Sequence, residues 1–386
     1  MLSSTCLAYF LLFAVSWTTA KSSHRTAAWP PIVTSAKGFL HESVYNFQWH
    51  TMWSANERFA APAPICRKSF LKTCQDPNPS ISRLGASAKP RRGYPKCAQA
   101  IPDWVNSKKE TPFEKELMSI PDDKVEDCLF LDVIVPKQVW DQTHDHSVQS
   151  FAPVFVWIHG DGFTSGSRDF HEDPSILLAK FLEIDKGGVI LVSINYRLGL
   201  FGFLASEERY ADSNVDLLDQ RIALGWIEKY IGKIGGDPFH ITVVGEGTGA
   251  GSILHHLTAP NISRKSFPKI HEVSHWYQKL PFHKWQRNFP FQSAILHSPM
   301  IQPILPVQLR VIVDRILVQV GRLMSQPLTR ISELRDLPHE ALYAVNRALV
   351  RESPYGTFTF GPSAHYAKGH RSYVPDTQFN IRIFRF

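Results

Sequence analysis

The stretch ITVVGEGTGAGSILHHLTA, residues 241–259, constrains the fold of this chain more than any other. Ile241–Val244 is a β-branched run of the kind that fills a buried strand. Gly245, Gly247, Gly249 and Gly251 then fall within seven residues, a density that suits a tight turn with close backbone approach. The apolar positions of 251–258 read as a helix. A buried strand, a sharp turn and a helix make one repeat of a parallel α/β sheet.

The rest of the chain supplies more such repeats. Leu129–Val135 alternates like a strand, and Val154–Ile158, Val189–Ile194, His240–Val244 and Ser293–Leu296 are short apolar runs. Runs of this kind suit strands covered on both faces. Helical spacing predicts a helix over 214–234, with Asn214 as cap, Leu218, Ile222, Trp226, Tyr230 and Ile234 on one face, and Gly235-Gly236 as the stop. Two later helices are predicted at 305–324 and 338–349. The fold class expected is α/β, a doubly wound and mostly parallel sheet. Residues 21–96 are rich in Pro, Ser and Arg and carry no clear period. Segment 262–290, basic and aromatic, reads as an exposed insertion loop.

Composition narrows the class. With 386 residues, 44% hydrophobic, the chain has enough apolar side chain to bury a large core, which excludes a disordered protein. The net charge of +7 is dispersed and accompanies no RNP, zinc-finger or helix-turn-helix pattern, so no nucleic-acid partner is expected. Residues 1–20, MLSSTCLAYFLLFAVSWTTA, carry no charged side chain and end in small residues, as in a secretory signal peptide. No later run is long enough for a membrane span. A secreted, extracellular chain is therefore expected. Removing the signal leaves Cys66, Cys74, Cys97 and Cys128, an even count that suits two disulfides in any of about three pairings. Asn261-Ile262-Ser263 is a glycosylation sequon.

Several motifs, in order, resemble the type-B carboxylesterase/lipase family, to which cholinesterases belong. They are Glu126-Asp127-Cys128-Leu129, Trp157-Ile158-His159-Gly160-Asp161-Gly162-Phe163 and Asn195-Tyr196-Arg197-Leu198-Gly199 with Phe201-Gly202-Phe203-Leu204. Asp219-Gln220-Arg221, Gly235-Gly236-Asp237-Pro238, the turn GEGTGAG and Ala294-Ile295-Leu296-His297-Ser298 complete the series. The match is good over 97–300 and poor before it. The resemblance implies an α/β-hydrolase fold over 21–386, acting on small carboxylic esters. It also implies that Cys97 pairs with Cys128; Cys66 and Cys74 are a second candidate pair that the resemblance does not fix.

Against that pattern the site is altered. The family carries G-x-S-x-G at this turn, with serine as nucleophile. Here Gly247 stands at the serine position, between Glu246 and Thr248. Thr248 points elsewhere at such a turn and is read as an oxyanion-hole backbone donor, not a nucleophile. The other donors implied are the N–H groups of Asp161 and Gly162. Asp161 replaces a glycine, and a carboxylate aimed inward would oppose an oxyanion. In the family the acid and histidine follow the segment resembled by Tyr373-Val374-Pro375-Asp376, and the sequence given stops at Phe386. The expectation is a truncated catalytic domain without a complete triad. His365 and His370 read as exposed, and His255-His256 as adjacent helix residues that do not share a face. No H-E-x-x-H, cysteine cluster, P-loop or G-x-G-x-x-G context occurs, so no metal and no cofactor is expected.

Three functions are consistent with these residues. One is a secreted ester hydrolase by ancestry with impaired or absent catalysis. The second is an active hydrolase with an atypical site. The third is a non-catalytic, cholinesterase-like binding protein. The sequence carries no signal for oligomeric state.

Overall fold

The structure is a computed structural model that describes residues 44–49, 53–54, 58–64, 95–105, 124–144, 151–169, 174–184, 187–204, 211–259, 290–301, 303–325, 327–328 and 330–363. The predicted signal peptide, Cys66, Cys74, Asn261, His365, His370, Tyr373–Asp376 and all but the last residue of segment 262–290 lie outside these residues.

Six strands form one mixed sheet. They are β1 (Val44–Trp49), β2 (Leu131–Pro136), β3 (Ala152–Ile158), β4 (Ile190–Ile194), β5 (Gly236–Glu246) and β6 (Ser293–His297), in spatial order β1-β2-β4-β3-β5-β6. β2 runs antiparallel to both β1 and β4. From β4 onward every pairing is parallel. All residues of β2 and β4 are buried, which explains their unbroken apolar runs: strands covered on both faces lose the period-two signal. β6 is the outer strand of the described sheet, and its residues alternate between exposed and half-buried.

Seven helices are described: α1 (Lys137–His144), α2 (Pro174–Ile184), α3 (Gly199–Phe203), α4 (Val215–Tyr230), α5 (Thr248–Thr258), α6 (Pro306–Met324) and α7 (His339–Arg351). One large core joins β2–β5 to α4, α5, α6 and α7 through Val154, Val156, Ile227, Ile253, Ile316 and Leu342, among others. No helix among the described residues is long and apolar enough to cross a membrane.

The structure departs from the expected pattern in four places. β1 lies in the stretch without period, and its register on β2 is a long-range pairing that local sequence does not encode. β5 begins at Gly236, not His240, because the Gly235 turn (φ 89°) delivers the chain straight onto the end of β3. Asn214 does stand before α4, but in a left-handed conformation and without a capping bond. Its side chain instead holds the backbone of Ser363 at both N–H and carbonyl. The buried face of α4 also differs. Leu218, Ile222 and Tyr230 are only partly buried, whereas Asp216, Asp219 and Gln220 are sealed in with Leu217, Leu224 and Ile227.

Candidate active site: the turn at Gly247 and the facing loop

The glycine turn sits where β5 meets α5. Gly247 has φ 56° and ψ −117°, a backbone region closed to most L-residues. Its N–H donates to the His297 carbonyl at 2.9 Å, and its own carbonyl accepts from Met300 N–H at 2.9 Å. The neighbouring glycines let backbones touch. A Cβ on Gly245 would lie 2.6 Å from the Gly249 backbone, and one on Gly160 would lie 2.5 Å from the Glu246 carbonyl oxygen. At Gly247 the space is open: a Cβ there would meet no atom within 4 Å. The turn therefore keeps the shape and the room for an exposed nucleophile, with no side chain to fill it.

The facing loop, 159–163, follows β3. Asp161 and Phe163 both adopt positive φ (67° and 62°). Asp161 is exposed, and one carboxylate oxygen lies beside Gly166. Gly162 (φ 74°) is covered by the Phe358 ring, which stands edge-on to Trp104 at 5.4 Å between centroids. Its N–H, the implied second oxyanion donor, already has an acceptor: the Thr248 hydroxyl oxygen at 3.1 Å. Thr248 is 2% exposed, and among the described residues this N–H is its one side-chain hydrogen-bond partner. Sequence reading assigned Thr248 only a backbone role. The structure adds a side-chain role that ties the turn to the loop and occupies a donor that an ester oxygen would need.

The motif residues act as buried clamps around this pair. The Tyr196 hydroxyl donates to the His159 carbonyl at 2.7 Å, and its ring stacks on the His159 ring at 4.3 Å. Arg197 forks onto Asp219 with 2.8 and 2.7 Å bonds, both side chains almost fully enclosed. Burial raises the Asp219 carboxyl against the opposing pull of Arg197. The Asn195 amide donates to the Cys128 and Pro95 carbonyls, and Cys97 is joined to Cys128 by a disulfide. Glu126 accepts two bonds from Arg58 and a third from His339. Burial opposes the ionised form of Glu126, but these partners outweigh it and hold its carboxyl below the usual range.

Gln220 reaches the elbow helix α5. Its amide donates to Ser252, and its oxygen meets His256 Nε2 at 2.9 Å. His255 is 1% exposed, and among the described residues neither ring nitrogen has a partner. Burial lowers its pKa to about 4. Both histidines of α5 are thus core residues. Among the described residues no group of three His, Cys, Asp or Glu side chains is placed to hold a metal ion.

One pair near the turn escaped the sequence reading. β6 runs beside β5 so that His297 stands opposite Glu246. His297 Nδ1 lies 3.6 Å from a Glu246 carboxylate oxygen, with both side chains half-exposed and flanking Gly247. The only sequence signal is that His297 ends the strand next to the turn. Pairing register, which local pattern does not carry, joins the two.

Comparison with known proteins agrees with this geometry. The carboxylesterase family profile matches residues 75–272. The carboxylesterase PatB of Penicillium expansum is 35% identical over 265 residues, which cover 67% of this chain and 41% of that protein. Bile salt-activated lipase of Rattus norvegicus is 36% identical over 168 residues, 42% of this chain and 26% of that one. Among solved structures, juvenile hormone esterase from Manduca sexta superposes with a TM-score of 0.58 at 21% identity, covering 88% of this chain and 53% of its own. The chain thus spans less than half the length of the curated relatives it matches.

Proposed function

The chain belongs to the carboxylesterase family, and on that premise we propose that it is a secreted member in which serine-dependent acyl transfer has been lost. The turn would then serve as the relic of a small carboxylic ester site. The observation that carries this reading is Gly247: the turn has the nucleophile's backbone and open space above it, yet no hydroxyl. One further feature points the same way: the Gly162 N–H is committed to Thr248. Removing a triad nucleophile leaves only the residual catalysis of binding and the oxyanion hole.

The test is covalent labelling. A fluorophosphonate serine-hydrolase probe should leave no adduct on the purified chain, and short-chain p-nitrophenyl esters should turn over no faster than with buffer protein. A stoichiometric adduct, or turnover that co-purifies with the chain and persists in Thr248→Ala, overturns the proposal. Secretion rests on residues 1–20 alone; amino-terminal sequencing of the exported protein should begin after Ala20.

A second reading draws on the Glu246–His297 pair. There a water in the open space at Gly247 replaces the serine hydroxyl, and His297, paired with Glu246, takes its proton. That reading requires ester turnover that labels nothing and disappears in His297→Gln.

A further inference from the structure

Asp216 stands in the first turn of α4 with no exposed surface. Among the described residues no side chain hydrogen-bonds either carboxylate oxygen; the donors that act on it are the N–H groups of Asp216 itself and Leu217, at the start of the helix. The charged group nearest in kind offers no help: Asp219, one turn on, is a like charge. Arg197 spends Nε and Nη2 on Asp219, and its remaining Nη1 makes no hydrogen bond to Asp216. α3 packs on Asp216 through Gly202, where a Cβ would lie 3.3 Å from the Asp216 Cβ, and that contact brings no titratable side chain. Tyr196 is a further titratable group of this layer, on which an ionised Asp216 would act. An isolated ionised carboxylate in such a place is too costly to keep.

We infer that the folded chain holds Asp216 as a neutral carboxylic acid, and that ionising it loosens the layer beneath the 159–162 loop, making Asp216 a pH-sensitive latch under the candidate site. The path is short. The Gly202 position packs on both the Asp216 Cβ and the Arg197 carbonyl, and Tyr196, the residue before Arg197, holds the His159 carbonyl and stacks on the His159 ring. Burial pushes the Asp216 carboxyl well above its usual range, and the Asp219 charge adds to the rise. Hydrogen bonds from the Leu217 and Asp216 N–H groups and the Arg197 charge oppose it without reversing it.

The sign follows from proton linkage. Between the unfolded carboxyl's pKa, about 3.9, and the raised folded value, the folded chain keeps a proton that the unfolded chain has lost. This contribution to stability is complete at the acid end and fades as pH rises through the window. The unfolding constant should therefore grow by up to about tenfold per pH unit relative to a variant without the acid.

The experiment compares urea unfolding of wild type and Asp216→Asn from about pH 4 to 8. Asparagine keeps the shape and cannot ionise, and the wild-type/variant ratio cancels histidine titrations and net charge. A ratio that climbs with pH supports the latch; a ratio that is flat or falls overturns it. If Asp216→Asn does not fold, wild type still decides. Amide-exchange protection factors at His159–Gly162 should fall as pH rises above the ordinary carboxylate range. Protection that stays constant from about pH 4 to 8 refutes the inference.

Discussion

Substituting Gly247 separates backbone strain from steric room at the turn. With φ 56° and ψ −117°, Gly247→Ala or Gly247→Ser must hold an L-residue outside its ordinary basins. Such a residue costs on the order of 1–3 kcal/mol, and the lower chain entropy of the unfolded variant returns about 0.4–1 kcal/mol. No steric term is added, since a Cβ at 247 meets nothing within 4 Å. The net loss should be about 1–2 kcal/mol for either variant. Gly249→Ala and Gly251→Ala reverse the balance. Neither glycine has a positive φ, but a Cβ on Gly249 runs into the carbonyls of Ile158 and His159, and one on Gly251 into the carbonyl of Met300. Overpacking against fixed backbone should cost about 3 kcal/mol or more. Urea unfolding of the four variants at pH 7 measures the contrast. If Gly247→Ala is as damaging as Gly251→Ala, the space above the turn is not open. If Gly247→Ala is stabilising, the turn is not strained, and the reasoning fails.

Three further outcomes are expected. His255, enclosed with both ring nitrogens unpartnered and a pKa of about 4, folds as the neutral form. Its contribution is complete above the unfolded value near 6.5 and falls by about 3 kcal/mol as pH drops from there to 4; His255→Leu should remove that fall in pH-dependent urea midpoints. Thr248→Ala should free the Gly162 N–H and speed its hydrogen exchange, while Thr248→Ser retains the bond seen at 3.1 Å and the protection. Reducing Cys97–Cys128, which closes a loop of sequence separation 31, should cost about 3–4 kcal/mol by loop entropy, read as a lower urea midpoint in reductant.

Much of the sheet was legible because burial on both faces leaves a plain mark. β2, β3, β4 and β6 fall within a few residues of the runs that predicted them, since a covered strand tolerates little but apolar side chains. The glycine turn was legible for the same kind of reason: close backbone approach excludes side chains. What escaped was polar burial. Periodicity treats Asp216, Asp219 and Gln220 as solvent-facing, so it rotated α4 away from its true contact face. The partners of Asp219 and Gln220, namely Arg197, Ser252 and His256, lie 22 to 36 residues away in sequence, and nothing local announces them. The Thr248 hydroxyl escaped for a different reason. Its backbone role follows from its place in the turn, but the direction of its hydroxyl depends on Gly162, 86 residues earlier.

The turn keeps its form without its serine because nothing that shapes it depends on that side chain. Gly245 and Gly249 touch each other, Gly160 touches Glu246, and Gly251 touches Met300. The backbone of residue 247 is held by His297 on one side and by Met300 and Gly251 on the other. Together these contacts over-determine a conformation that a serine would adopt only under strain. Glycine at 247 relieves that strain and leaves every contact in place. Losing the hydroxyl is therefore nearly free for folding, even favourable, whereas losing a flanking glycine is not. Catalysis and fold place their demands on alternate residues of the same seven, so the chemistry of this site can disappear while its architecture persists.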